Sequence, residues 1–476
     1  MGILLAQLNF QNIFFGQPTA TFASLLNENH LKGPGCVLND THMTEPGGVL
    51  GVKTLFLKRK SILMTTATSA GISRSAYLME LEEQHGAHNY HPLPVVLERG
   101  RGVYVWDVDG KRYIDCLSAY SAVNQGHCHQ LIIDVLKRQA EKLTLTSRAF
   151  HNNVLGEYEK YITEYFGYDK VLPMNTGVEA VETAIKLARR WAYEVKGVKE
   201  NAAKIIVPEG NFHGRTLLAI SASTDPDSYA GFGPFVPNFV KIPYNDLTAL
   251  AEALTDKDVA GFLVEPIQGE AGVNVPEDNY LAKAKFLCEK AGVLFIADEV
   301  QTGLGRTGKM LACDWEEVRP DILILGKALS GGTLPVSAVL ADDPIMLTIK
   351  PGEHGSTYGG NPLAAKVAMA ALQVIKDENL VYNAFYLGKY FRQELGKIKH
   401  KAIKEIRGKG LLNAIVLDTT DEKAGWNLCV KMMKKGLLAK PTHSYIIRLA
   451  PPLCITKEQV DEAIAIISDT FKDFKG

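Results

Sequence analysis

An acid and an amine stand where two apolar runs end. Residues 293–298 close on Asp298, and residues 321–326 lead directly into Lys327. If both runs are parallel strands, both groups sit at carboxyl ends, the rim where open α/β sheets bind ligands. Taken singly, each has a plain structural reading: a helix-capping Asp and a surface Lys. Placed together, they suit a cofactor that needs both an amine to hold an aldehyde as a Schiff base and a carboxylate to keep a ring nitrogen protonated. Pyridoxal phosphate is that cofactor. A carboxylate ~4 Å from the nitrogen at an effective dielectric of ~20 contributes about 4 kcal/mol. That is about 3 pKa units, enough to fix the protonation state.

A phosphate needs its own cradle. Met174-Asn175-Thr176-Gly177-Val178 joins a strand to an Ala-rich helix, so the amides of Gly177 and Val178 and the positive helix end face whatever lies above the sheet. Alone, the motif would be an ordinary helix start capped by Thr176. A competing motif, Gly303-Leu-Gly-Arg-Thr-Gly308, matches the dinucleotide pattern G-x-G-x-x-G and raises a nicotinamide-dependent dehydrogenase as the rival. That fold wants an acid at the end of the next strand. Here Asp321 begins the next strand and Lys327 follows its end, so these glycines read as a loop beside the site.

The elements that position these groups are legible as alternating short apolar runs and helical patterns from about residue 95. Residues 170–174, 204–208, 239–243, 261–265, 293–298, 321–326 and 336–341 read as strands, several so continuously apolar that both faces must be covered. Residues 178–193 form an amphipathic helix, with Val181, Ala184, Ile185, Ala188 and Ala192 on one face and Lys186, Arg189 and Arg190 on the other. After Asn361-Pro362 the pattern turns to helices at 363–377 and 381–398, short strands near 411–417 and 446–449, and a last helix from Lys457. The expected architecture is α/β: a mostly parallel seven-stranded sheet plus a smaller C-terminal α/β domain. Its expected divisions are an extension 1–64, an N-terminal segment 65–120, a large domain 121–381 and a small domain 382–476.

Bulk properties narrow the partners. With 476 residues the chain is long enough for more than one core, and 52 Lys plus Arg against 53 Asp plus Glu leave no global field to attract nucleic acid or an anionic membrane. Seven cysteines without a C-x-x-C pair suit a reducing compartment. His127-Cys128-His129 looks like a ligand cluster, but adjacent residues cannot all turn to one ion, so it reads as a polar turn and no metal is expected. No stretch approaches the ~20 apolar residues that cross a bilayer. The first arginine is Arg59 and position 6 is Ala, so neither an Arg-rich transit peptide nor a myristoyl anchor is supported, and Met64 could also start the chain. The expected location is cytoplasmic, with the mitochondrial matrix as the alternative.

Three segments resemble class III aminotransferases: Ala297-Asp-Glu-Val-Gln-Thr-Gly303, Leu325-Gly-Lys-Ala-Leu-Ser-Gly-Gly332 and Gly355-Ser-Thr-Tyr-Gly-Gly-Asn-Pro362. His88-Asn-Tyr-His-Pro-Leu-Pro94, Ser118-Ala-Tyr-Ser-Ala-Val-Asn-Gln-Gly-His127 and Leu438-Ala-Lys-Pro-Thr-His443 are similar to the branch of that family that acts on L-ornithine. The likeness spans roughly residues 75 to 476. It implies a fold-type I pyridoxal 5'-phosphate enzyme in which Lys327 forms the Schiff base and shuttles protons, Asp298 pairs with the pyridine nitrogen, Phe212 stacks on the ring, Gln301 meets the phenolic oxygen, and Gly177 and Val178 hold the phosphate. Thr357 would reach the phosphate of a neighbouring subunit, implying at least a homodimer.

For substrates, the resemblance implies L-ornithine and 2-oxoglutarate, which bring different charges into one pocket. Arg215 would hold the ornithine α-carboxylate, with Tyr90 at the α-end and Tyr120 favouring this substrate. Glu270 would mask Arg448 in the first half-reaction and release it in the second. Alone, each arginine would be a surface ion pair and each tyrosine a core aromatic. Residue 213 is His where some members carry Trp, and Thr333-Leu334 replaces Leu-Tyr; both bear on fine substrate preference. The rivals within the family are acetylornithine and 4-aminobutyrate aminotransferases, and outside it a non-catalytic scaffold.

Overall fold

The computed structural model describes residues 73–474; the extension 1–64, Cys36 and the run 65–69 lie outside them. The described chain opens on three short strands, β1 (Leu97–Arg101), β2 (Tyr104–Asp107) and β3 (Arg112–Asp115). The middle carries β4 (Lys170–Met174), β5 (Lys204–Pro208), β6 (Phe239–Ile242), β7 (Val259–Val264), β8 (Leu294–Asp298), β9 (Ile322–Leu325) and β10 (Ser337–Ala341). The last third adds β11 (Ile403–Lys409), β12 (Leu412–Leu417), β13 (Leu437–Leu438), β14 (Lys440–Thr442) and β15 (Ile446–Leu449).

The seven middle strands form one sheet in the order β4-β10-β9-β8-β7-β5-β6. β5 through β9 pair in parallel, and β10 runs antiparallel to both neighbours. This is the expected mostly parallel sheet. β7, β8, β9 and β10 are buried along their whole length, as strands with both faces covered must be. Each fully buried Ile or Leu among them contributes about 1.5–3 kcal/mol.

Helix α1 (Gly177–Trp191) covers one face. Thr176 accepts from the Glu179 amide and the Glu179 side chain reaches back to the Thr176 amide, a reciprocal cap that fixes where the helix begins. Its apolar stripe, including Val181, Ala184, Ile185 and Ala188, is buried as its spacing predicts. It then widens into a π turn, Ala192–Lys196, ended by left-handed Gly197. Helix α2 (Pro362–Asp377) starts with proline behind the Asn361 cap, a position where proline's missing amide costs nothing.

Two smaller sheets complete the fold. β11-β12-β15-β14 is antiparallel. β11 and β14 were not evident from the sequence: β11 carries Lys404, Glu405, Arg407 and Lys409 on an edge, so it lacks an apolar run. The first three strands join β13 in the order β1-β2-β3-β13, so the N-terminal segment shares a sheet with residues near the C-terminus.

Candidate active site

Parallel strand ends deliver the polar groups to one place. Asp298 is the last residue of β8, and Lys327 follows β9 by one glycine, in a tight turn with φ 43°. Positive φ is costly for a lysine and is tolerated where surrounding structure overdetermines it. A cavity of about 240 Å³ is lined by Gly177, Val178, Phe212, Asp298, Gln301 and Lys327, with His213, Glu265 and Val300. Every residue expected at the cofactor except Thr357 is therefore in one wall.

The helix start is built to approach closely. A Cβ on Gly177 would lie 2.9 Å from Val300 Cγ1, so any larger residue would displace that side chain. Glu179 and Thr176 satisfy the amides of Asn175, Thr176 and Glu179, while the first helical amides have no carbonyl partner within the helix. The helix start is thus capped as expected, and Gly177 and Val178 line the cavity.

Charge on the floor is arranged around Asp298. Its Oδ1 accepts from the Val300 amide at 3.1 Å and its Oδ2 meets His213 Nδ1 at 2.7 Å, with both side chains buried. Burial alone would lower the His213 pKa, but the bond and charge of Asp298 outweigh it and raise the group. His213 Nε2 has no partner among the described residues. Glu265, just past the end of β7, accepts from the Phe212 amide at 2.9 Å. Burial pushes its carboxyl up to about 7, against the pull of His213. Lys327 Nζ makes no hydrogen bond among the described residues. Burial lowers its pKa, opposed by Glu270, Asp298 and Glu265.

Glu265 and the His213–Asp298 contact were not anticipated as site features. The rule that singled out Asp298 and Lys327 finds Glu265 too, since it also follows a continuous apolar run. The His213 contact joins residues 85 apart and leaves no local pattern.

The expected substrate residues fall into two groups. Arg448, buried in β15, makes a two-pronged ion pair with Glu270, Nη1 to Oε2 at 2.5 Å and Nη2 to Oε1 at 3.2 Å. Burial pushes the Glu270 carboxyl up, but the guanidinium prevails and holds it low. The Tyr120 ring centroid lies 4.9 Å from Arg448 Cζ. Tyr90 and Arg215 line a second cavity of about 500 Å³ with Asn89, Asp227 and Phe232. Arg215 Cζ is 5.4 Å from the Phe212 ring centroid, and the residue makes no ion pair among the described residues. Thr357 does not reach the floor; it is exposed, with no hydrogen bond among the described residues.

Tyr120 is presented by an unusual backbone. Ser118, Ala119, Tyr120 and Ser121 all have positive φ, at 50°, 46°, 59° and 73°, forming a single left-handed turn closed by the Ala122 amide on the Ser118 carbonyl at 2.9 Å. Such a conformation costs about 1–2 kcal/mol per L-residue. Of the polar turn nearby, His127 and His129 face different carboxylates, Asp115 and Glu378. The Gly303–Gly308 loop is structural: Arg306 is fully buried, donating to the carbonyls of Leu411 and Pro451 and to Asn124 Oδ1.

A lysine and an acid at strand ends and a helix start around one cavity fit pyridoxal phosphate, the cofactor of the class III aminotransferases, and the chain belongs to that family, whose model matches residues 85–471. Within that family it is 60% identical over 424 residues to mitochondrial ornithine aminotransferase of Rattus norvegicus, covering 89% of this chain and 96% of the relative. The solved ornithine aminotransferase of Toxoplasma gondii aligns with a TM-score of 0.83 at 48% identity, over 86% of this chain and 97% of that one. A structure from Elizabethkingia anophelis named acetylornithine aminotransferase aligns with a TM-score of 0.78 at 59% identity, over 84% of this chain and 100% of that one.

Proposed function

We propose that this enzyme transfers the δ-amino group of L-ornithine to 2-oxoglutarate, yielding L-glutamate and glutamate 5-semialdehyde, which cyclises to pyrroline-5-carboxylate. This places it in arginine and ornithine breakdown and in proline synthesis. The observation that carries the reading is the Glu270–Arg448 ion pair beside the Lys327 amine, a cation held in reserve at a site that must accept substrates of different charge.

Pyridoxal phosphate, when bound, supplies an aldehyde that exchanges amines and a ring that accepts the electron pair left on the substrate carbon. The amides of Gly177 and Val178 would hold its phosphate, Asp298 would pair with the pyridine nitrogen, Gln301 would meet the phenolic oxygen, and Phe212 would stack on the ring. His213 holds the Asp298 carboxylate in place from behind. Lys327 Nζ, its pKa lowered by burial, takes the proton from the substrate δ-carbon. Arg215, free of ion pairs among the described residues, receives the α-carboxylate, with Tyr90 at that end and Tyr120 favouring this substrate. With ornithine bound, Glu270 keeps Arg448 neutralised; with 2-oxoglutarate, Arg448 turns to the carboxylate beside the reacting carbon, and the far carboxylate falls to Arg215.

Replacing Glu270 by Ala bares the guanidinium throughout. Stopped-flow absorbance should then show the glutamate half-reaction favoured over the ornithine half-reaction by about tenfold, the size of one exchanged charged hydrogen bond. Equal half-reaction rates would sink the gate. The name of the Elizabethkingia anophelis relative favours acetylornithine as the second reading; kcat/KM for L-ornithine, N-acetyl-L-ornithine and 4-aminobutyrate separates the three, and preference for either of the last two overturns ours.

The working unit is at least a homodimer, supported by the exposure of Thr357 and of Tyr358, 58% exposed in the single chain. Sedimentation of active enzyme as a monomer would refute this. The mitochondrial matrix, the alternative location, gains support from the name of the rat relative. Imaging a full-length tagged chain beside one that begins at Met64 tests it, and diffuse signal from both counts against the matrix.

A further inference from the structure

The His127 turn is absorbed by nothing described so far, yet its contacts lead to the substrate pocket. His127 is fixed in place: its amide donates to the Gly102 carbonyl at 2.8 Å and its carbonyl accepts from the Gly102 amide at 3.1 Å. A Cβ on Gly100 would come within 2.8 Å of His127 Cβ, so the ring packs where only glycine leaves room. His127 Nε2 meets Asp115 Oδ2 at 2.8 Å. The other oxygen of Asp115, Oδ1, accepts from the amides of Leu117 at 2.8 Å and Ser118 at 3.0 Å. Those amides lead into the left-handed turn of residues 118–121, and the ring of Tyr120 on that turn faces Arg448.

We infer that Asp115, steadied by His127, is a positioning residue for substrate selection: its carboxylate clamps the entry to the left-handed turn and so fixes Tyr120 against Arg448. The inference rests on the reading of Tyr120 as a substrate-facing group. Four successive L-residues do not hold positive φ unaided, and none of Ser118, Ala119, Tyr120 and Ser121 is a glycine or asparagine that would favour it. The constraint must come from outside the turn, and Asp115 is the side chain that grips its entry. Asp115 is buried at the end of β3, where its amide donates to Val103, so its carboxylate is anchored at the backbone as well as by His127.

The clamp acts on Tyr120 and not on the cofactor floor, so its loss should alter choice between amines and leave the chemistry alone. The test compares kcat and KM for L-ornithine and 4-aminobutyrate in the holoenzyme, with the visible absorption of the bound cofactor as a check on the floor. Asp115→Ala is expected to lower the ornithine preference in kcat/KM about tenfold, through KM, with kcat and the visible band unchanged. Adding Ala119→Gly to that variant should restore most of the preference, because glycine adopts the left-handed region without the clamp and Ala119 is exposed. A merely structural role for Asp115 would not be rescued at that position. Tyr120→Ala is the control. If it lowers the preference and Asp115→Ala does not, the clamp is refuted and the reading of Tyr120 stands. If Tyr120→Ala leaves the preference intact, the reading fails and the inference with it. Should Asp115→Ala not fold, His127→Phe keeps a ring against Gly100 and removes the nitrogen; a fall in preference supports the clamp, and an unchanged one overturns it.

Discussion

The floor of the site and its mouth are built on different principles. On the floor, Asp298 is 4% exposed, sits at the end of a fully buried strand, and has both carboxylate oxygens bonded. At the mouth, Tyr90 is 72% exposed, and Arg215 and Thr357 are exposed without ion pairs among the described residues. Rigid, buried groups suit a cofactor that stays and whose charges are always the same. Groups with unspent hydrogen-bonding capacity suit ligands that come and go, or a surface that a second subunit completes. Arg448 lies between the two regimes: buried like the floor, yet paired to a Glu270 whose side chain is partly exposed.

Breaking the floor should be costly and indiscriminate. Lys327→Ala is expected to lower kcat by at least ~10⁴-fold for every amine tested, followed by pyrroline-5-carboxylate formation and substrate disappearance. Residual turnover within a hundredfold of wild type would remove Lys327 from the proton-moving role. Asp298→Asn keeps the shape and deletes the charge, so about 4 kcal/mol of support for the ring-nitrogen proton goes with it. The expected loss in kcat is about 10³-fold, similar for ornithine and glutamate, and a loss confined to one substrate would contradict a floor role.

The mouth should break more gently. Thr357→Ala is expected to weaken cofactor retention about tenfold, read by equilibrium dialysis, if this exposed residue completes a neighbour's phosphate site. Retention equal to wild type would confine the cofactor site to one chain. The smallest effect concerns stability. Glu265 has a folded-state pKa raised to about 7, so its contribution is full below the ordinary glutamate value of about 4.3 and is lost as pH rises through 7. The thermal midpoint of wild type should therefore fall relative to Glu265→Gln across that window. Parallel pH profiles would show that Glu265 is not buried as a neutral acid.

The same division explains what could be read from sequence. Strands β4, β5 and β15 begin and end where their apolar runs do, and the central runs were legible because burial on both faces demands unbroken Ile, Val and Leu. Asp298 and Lys327 stood out as polar residues closing such runs. The left-handed turn left no trace, because Ser-Ala-Tyr-Ser contains neither glycine nor asparagine; the force that bends it lies in Asp115 and His127. Glu265 was overlooked because its motif was read for Glu270, and Arg306 because its flanking glycines spoke first. Contacts between distant residues, such as His213 with Asp298, are set by topology and have no local signature.

Arg306 ties together parts of the chain that are far apart along it. One guanidinium draws on Asn124 in the early part of the described chain, Leu411 just before β12 and Pro451 just after β15. None of these acceptors carries a full charge, so the cation is tolerated inside only while all three segments surround it. Heat or denaturant that loosens one segment strands an ion in the interior and thereby loosens the others. The stabilities of the early, middle and late parts of the described chain are thereby coupled through one buried cation.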